Sequence, residues 1–269
     1  MCIVIRDLLP DDDAARALAA AALAHGVYVR NALAQQEGEG FVCGDGRIDE
    51  AVVWIGPRGN LVVVAPEPVR AVLARRVVDE ILERRRPWRI AMGPAAIVDA
   101  LRDRLPVAPL VCRDQVYYTG TAALAVAARV RTDVRAAERA DRDRLMQATL
   151  QLNASDLNVD PARVDRRWLR DAIDERIAEG TTQVIGPPGG VRCKLDIGSA
   201  GPGGGVIEGV FTFAEDRGRG LAAGLVATCL ARATTPMSLH VGKFNQPART
   251  AYAAAGMTAA GGCRLLLLP

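Results

Sequence analysis

The strongest constraint on this chain is that the order of its secondary-structure signals occurs twice. In the first pass, 2–6 reads as a strand. Asp11, Asp12 and Asp13 then precede an Ala/Leu-rich helix to about His25, and a second helical stretch covers 27–36. Aspartates at a helix start accept from the free first-turn amides and favour the positive end of the dipole. Three strands follow at 40–43, 49–55 and 60–65, separated by the turn sequences Gly-Asp-Gly and Gly-Pro-Arg-Gly-Asn. An amphipathic helix over 69–85, a strand at 89–92, a helix at 95–104 and a strand at 109–118 complete this half. After a linker at 120–127 the series begins again. A strand covers 128–136, and helices cover 140–152 and 161–178, the latter with Trp168 and Leu169 on its apolar face. Strands follow at 182–185, 191–197 and 206–213, then a helix over 221–233, a strand at 237–241, a helix at 247–255 and a strand at 263–268. Both halves read β-α-α-β-β-β-α-β-α-β. A meander passing into strand-helix-strand units predicts an α/β (α+β) chain of two domains, 1–122 and 128–269. Each is expected to be a mixed, mostly antiparallel sheet flanked by helices.

Composition narrows the chemistry. With 269 residues and half of them apolar, the chain can fill two cores without metal or disulfide staples. The net charge is only +3 and no long block carries one sign. The cluster Arg84, Arg85, Arg86 reads as a solvated helix end, because a nucleic-acid face needs a broader basic surface. Cys2, Cys43, Cys112, Cys193, Cys229 and Cys263 are too far apart in sequence for metal-ligand spacing and read as small buried hydrophobes. Two histidines, His25 and His240, leave no room for a histidine-rich metal site, and no G-x-S-x-G elbow occurs. The opening residues do not form a secretory signal, and no apolar run reaches the roughly 20 residues of a membrane span. These features predict a cytoplasmic protein with no metal, no nucleic-acid partner and no membrane partner.

The informative stretch is 206–269. Arg217-Gly218-Arg219-Gly220-Leu221-Ala222 lies between a strand and a helix. Glycines there let the backbone approach a ligand closely, and the helix start offers amides and a favourable dipole to an anion such as a pyrophosphate. Arg217 or Arg219 can add charge-assisted bonds. An ordinary glycine-rich turn is the plain alternative. No Gly-Lys-Ser/Thr follows, so this is not a P-loop. Gly218, Gly220 and Ala223 fit a dinucleotide fingerprint only loosely, and no acidic residue closes the next strand. Downstream, Asn245, Ala248, Tyr252 and Gly256 keep the spacing N-x-x-A-x-x-x-Y-x-x-x-G, which puts Ala248 and Tyr252 on one helix face.

The combination R-G-x-G-x-A and N-x-x-A-x-x-x-Y-x-x-x-G, separated by a helix and a strand, resembles the GNAT superfamily of acyl-coenzyme A-dependent N-acyltransferases. The chain as a whole is similar to tandem bacterial GNAT proteins whose first domain is degenerate. The resemblance implies acetyl-CoA, or another acyl-CoA, as co-substrate and a small-molecule or peptide amine as acceptor. It implies that Arg217, Gly218, Arg219, Gly220, Leu221 and Ala222 hold the pyrophosphate. Val210, Phe211 and Thr212 would pair their backbone with the pantetheine amides. Asn245 would contact the coenzyme or brace the strand-helix turn. Tyr252 would act as the acid at the thioester sulfur, its alternative being a core tyrosine. Glu208, on the strand before the loop, is the candidate base, its alternative being a salt-bridged or solvent-facing carboxylate. His240 could line the cleft or sit satisfied in the sheet, and Lys194 with Asp196 reads as a plain ion pair. Ala214, Asp216 and Met257 depart from the usual pattern, as packing variants. The first half has Ala65-Pro66-Glu67-Pro68-Val69-Arg70 at the loop position, and prolines remove the amides a phosphate needs. It is expected to lack coenzyme binding. A non-catalytic acyl-CoA sensor is the alternative function. A transferase using aminoacyl-tRNA is disfavoured by the modest charge. The tandem arrangement is compatible with a monomer or a homodimer.

Overall fold

The computed structural model describes residues 3–21 and 25–269. Cys2, in the expected first strand, and 22–24, in the expected first helix, lie outside them. The elements run in the expected order. The first series is β1 (Val4–Asp7), α1 (Asp13–Ala21), α2 (Gly26–Gln35), β2 (Glu39–Gly44), β3 (Asp49–Ile55), β4 (Asn60–Val64), α3 (Ala71–Arg84), β5 (Ile90–Gly93), α4 (Ala95–Arg102) and β6 (Val111–Gly120). The second is β7 (Val134–Ala136), α5 (Arg142–Leu157), α6 (Arg166–Ala178), β8 (Thr182–Ile185), β9 (Cys193–Gly201), β10 (Gly204–Thr212), α7 (Leu221–Arg232), β11 (Met237–Gly242), α8 (Gln246–Ala255) and β12 (Thr258–Leu267). The two series are identical in kind and order.

The chain divides into two compact units. One comprises Met1–Tyr117, Gly201–Gly204 and Ala260–Pro269, the other Tyr118–Ala200 and Gly205–Ala259. The sequence reading drew its boundaries at 122 and 128 and gave the whole C-terminus to the second domain. In the structure the last strand sits in the first unit, where Arg264–Leu267 pair antiparallel with Gly93–Ile90 of β5. Leu266 accordingly packs in that unit's core with Phe41, Val53, Leu61, Val77 and Ile97.

In the first unit the strands lie in the order β1-β2-β3-β4-β5-β12-β6. β4 and β5 run parallel and stay in register from Asn60↔Ile90 to Val62↔Met92. The next residue, Val63, lies against Gly93, where a Cβ would come within 2.9 Å of it. These two strands therefore close on each other. Arg85 and Arg86 are exposed, as expected of a solvated helix end, with Arg86 paired to Glu39, but Arg84 is half-buried, paired with Asp7 and Glu80 and lying 4.8 Å over the Phe41 ring. His25 is buried, and desolvation pushes its pKa down to about 4.

In the second unit the order is β11-β10-β9-β8-β7, with the end of β6 beside β11. Leu145 and Ala148 of α5 and Leu169 and Ile173 of α6 pack on Phe211 and Phe213. Two sequence expectations are corrected here. The strand expected over 128–136 is confined to Val134–Ala136, because 122–124 and 127–129 form 3-10 turns that pack on α7. Trp168 is 66% exposed while its neighbour Leu169 is buried. Adjacent helical residues point about 100° apart, so the two do not share a face. Among the cysteines, Cys43, Cys193 and Cys263 are buried, and Cys112 and Cys229 are partly so.

Candidate active site

The site lies where β10 and β11 part. They pair in parallel at Gly205↔Met237 and Val206↔Ser238, and the ladder ends there. β10 nevertheless runs on to Thr212 and β11 to Gly242. Unpaired strand edges facing a gap offer main-chain donors and acceptors to an extended ligand. Val210, Phe211 and Thr212 lie on this parted stretch. Phe211 is turned to the core, edge-on to Phe213 at 5.1 Å, which leaves its backbone as the part that can face a ligand.

Gly209 gives β10 a bulge-type residue. It has φ +56°, a left-handed conformation that disrupts a strand as a bulge does. A Cβ on it would fall 2.8 Å from Asp196 Oδ2 and 2.9 Å from Lys194 Nζ. Beneath the bulge these two side chains form a buried network, each 3% exposed. Asp196 accepts from Lys194 Nζ at 2.5 Å, from Arg176 Nη1 at 2.7 Å and from Thr182 Oγ1 at 2.7 Å. Burial raises the Asp196 pKa, but Lys194, Arg176 and Thr182 together outweigh it and hold the group below the usual carboxylate range. A cavity of about 10 Å³ adjoins the network, walled also by Thr149 and Ile173. The expected ion pair is therefore present, and it lies in the interior. Lys194, Asp196 and Gly198 share one face of β9 by their spacing, and the half-buried Glu208 carboxylate lies over Gly198. Glu208 therefore stands on the same face as the network, one residue before the bulge.

Past Thr212 the chain makes a 3-10 turn at Ala214–Asp216 and enters the loop. Gly218 and Gly220 have φ +77° and +71°, values that glycine adopts at no steric cost. Gly220 is the N-cap of α7, and no side chain caps this helix. The amides of Leu221 and Ala222, which a helix cannot satisfy internally, remain directed at whatever occupies the loop. Asp216 is tied to Arg192 at 2.8 Å and to Arg219 at 3.4 Å. The Arg192 bond leads the causes that hold its carboxyl below the usual range. It is thus a buried brace of the loop. Arg217 donates to the Thr212 carbonyl at 3.2 Å, which fastens the loop to the end of β10.

Tyr252 lies on α8 with its ring 6.0 Å from that of Tyr118, in edge contact. It is 6% exposed, and its hydroxyl has no hydrogen-bond partner among the described residues. Burial raises its pKa, with Asp156 of α5 and Cys193 of β9 adding to the rise, so the phenol stays protonated at neutral pH. Asn245 braces the strand-helix turn. Its Oδ1 accepts from Ala248 N at 3.2 Å and caps α8. His240 is half-buried on β11, and Met257 is buried in the core.

Sequence reasoning missed Gly209, Arg129 and the bracing role of Asp216. The first carried a signal, a glycine inside a strand-like run. The second carried none, since the Arg129 guanidinium reaches Gly220 only through the fold of the 122–130 segment. Among the described residues no group of acidic, cysteine or histidine side chains is placed to hold a metal ion, and no helix is long and apolar enough to cross a membrane.

Comparison with known proteins agrees with this geometry at the level of fold. No protein-family model and no curated protein matches the chain. Among solved structures it is similar to a Drosophila protein from a structural genomics programme (12% identity, TM-score 0.67, covering 100% of this chain and 99% of that one). It is also similar to a GCN5-related N-acetyltransferase from Sphaerobacter thermophilus (17% identity, TM-score 0.56, 98% and 94% covered). A third is a GCN5-related N-acetyltransferase from Kribbella flavida (14% identity, TM-score 0.54, 96% of each chain covered). The chain has the fold of the GNAT acetyltransferases. The likeness runs through both units rather than the second alone.

Proposed function

We propose that the second unit binds an acyl-CoA, acetyl-CoA foremost, and transfers its acyl group to a primary amine of a small molecule or peptide. The observation that carries this reading is the parting of β10 and β11 directly before an uncapped, glycine-rich helix start. The gap suits an extended pantetheine arm pairing with the backbone of Val210, Phe211 and Thr212. The loop from Arg217 to Ala222 suits the pyrophosphate, with Gly218 and Gly220 allowing close approach. We assign the transfer to direct attack. The amine nitrogen bonds to the thioester carbonyl carbon and the C–S bond breaks. Glu208 takes the nitrogen's proton, directly or through water, and the Tyr252 hydroxyl donates to the departing sulfur. A phenol held protonated by burial suits that donation.

The first unit is read as having no acyl-CoA site. Its corresponding strands β4 and β5 stay paired, and Pro66 and Pro68 precede its third helix. We take the protein to work in the cytoplasm as a monomer or homodimer, without nucleic acid, membrane or metal, in keeping with its small net charge.

The test is release of free thiol from acetyl-CoA against a panel of primary amines. Turnover with at least one amine is expected. Tyr252→Phe should lower kcat by about 10- to 1000-fold and leave acetyl-CoA affinity within about twofold, the pattern of a group acting in the transition state. Binding without turnover on any amine would favour the sensor over the enzyme.

A further inference from the structure

Arg129 is a cation that neither the motif nor the fold comparison assigns. It ends the second of the two 3-10 turns preceding β7. That segment is pinned along its length. Val126 N donates to the Ala255 carbonyl at 3.3 Å, Arg129 N to the Val126 carbonyl at 2.8 Å, and Arg131 N to Thr228 Oγ1 of α7 at 2.9 Å. Two glycines permit the approach. A Cβ on Gly224 would lie 2.5 Å from Arg131 Cδ, and one on Gly256 would collide with the Leu124 carbonyl. Between these anchors the Arg129 side chain is delivered to the α7 N-cap, its Nη1 3.3 Å from the point a Cβ on Gly220 would occupy.

The charge state of its surroundings separates Arg129 from its neighbours. Arg131 is bound bidentately by Asp133, Arg192 and Arg219 share Asp216, and Arg144 holds Glu215. Arg129 has no carboxylate and no carbonyl partner among the described residues. A guanidinium with five free donors, beside a left-handed glycine and the uncapped amides of α7, is arranged for a phosphate.

We infer, building on the acyl-CoA reading, that Arg129 is a phosphate ligand of the coenzyme. The 122–130 segment then forms one wall of the coenzyme site as well as linking the two halves. The phosphate it takes is either the pyrophosphate on the loop or the 3′-phosphate beyond it, and both present the same chemistry. Because the anchors lie on either side of Arg129, its removal leaves the segment in place.

The experiment is calorimetric titration of wild type, Arg129→Ala, Arg129→Lys and, as a charge-matched control, Arg163→Ala, with acetyl-CoA and with its 3′-dephospho analogue. Arg129→Ala should weaken acetyl-CoA by about tenfold, the loss of one charge-assisted contact, while Arg129→Lys retains part and Arg163→Ala none of that effect. Thermal midpoints of all three variants should match wild type. A loss confined to acetyl-CoA assigns the 3′-phosphate, and an equal loss with both ligands assigns the pyrophosphate. Wild-type binding that Arg129→Ala leaves unchanged with either ligand overturns this inference and spares the acyl-CoA reading. Absence of wild-type binding overturns both.

Discussion

Of the 34 basic residues 32 are arginines, and one of the two lysines, Lys194, is buried at 3% exposure. A compact ammonium fits beneath the Gly209 bulge, where a planar guanidinium would need more room. Breaking such a pair leaves an uncompensated buried charge. Asp196→Asn should therefore cost about 3–5 kcal/mol of stability, measured by denaturant unfolding at pH 7. The sign with pH follows from the lowered Asp196 pKa. The stabilisation is fully present above the unfolded carboxylate value of about 3.9 and is lost as pH falls through the folded value. The double variant Lys194→Met/Asp196→Leu should lose less stability than wild type between pH 5 and pH 2. An equal loss would mean that other carboxylates, such as the Arg135-bound Asp141, carry the acid sensitivity. The spacing of Lys194 and Asp196 on one strand face was legible in the sequence. Their burial was not, because it depends on α5 and α6 closing over that face.

At the scale of elements, α8 shows how one residue can serve two readings. Asn245 caps the helix, and its amide nitrogen makes no bond among the described residues. Asn245→Ala should lower stability by about 1 kcal/mol, whereas Asn245→Asp keeps a cap of equal quality and should not. If Asn245→Asp keeps the thermal midpoint yet weakens acetyl-CoA, the residue does both jobs. If both variants bind like wild type, it only braces the turn. The motif N-x-x-A-x-x-x-Y fixed which helix this was, and the glycine-rich loop fixed where α7 begins, since both rest on local backbone needs. The parting of β10 from β11 was half legible. Gly209 interrupts a strand pattern, but the divergence from β11 depends on a pairing that no single segment encodes. The pairing of Trp168 with Leu169 failed because adjacent positions were taken as one face, against the helical period.

At the scale of the whole chain, the repeated order of elements was readable because each element carries its own periodicity and turn residues. Membership of the last strand was not. Cys263 to Leu268 reads as a buried strand in either unit, and only its register against β5 places it in the first. The two copies differ in how their fourth and fifth strands pair. β4 and β5 close over three paired positions with Val63 packed at Gly93, whereas β10 and β11 part after two and run on without pairing to each other. In the function proposed above, one unit keeps an acyl-CoA site and the other has closed it. Titration calorimetry of the intact chain with acetyl-CoA tests this most directly. One saturable site per chain is the predicted result. Two sites would contradict the closed first unit, and no binding would contradict the acyl-CoA site itself.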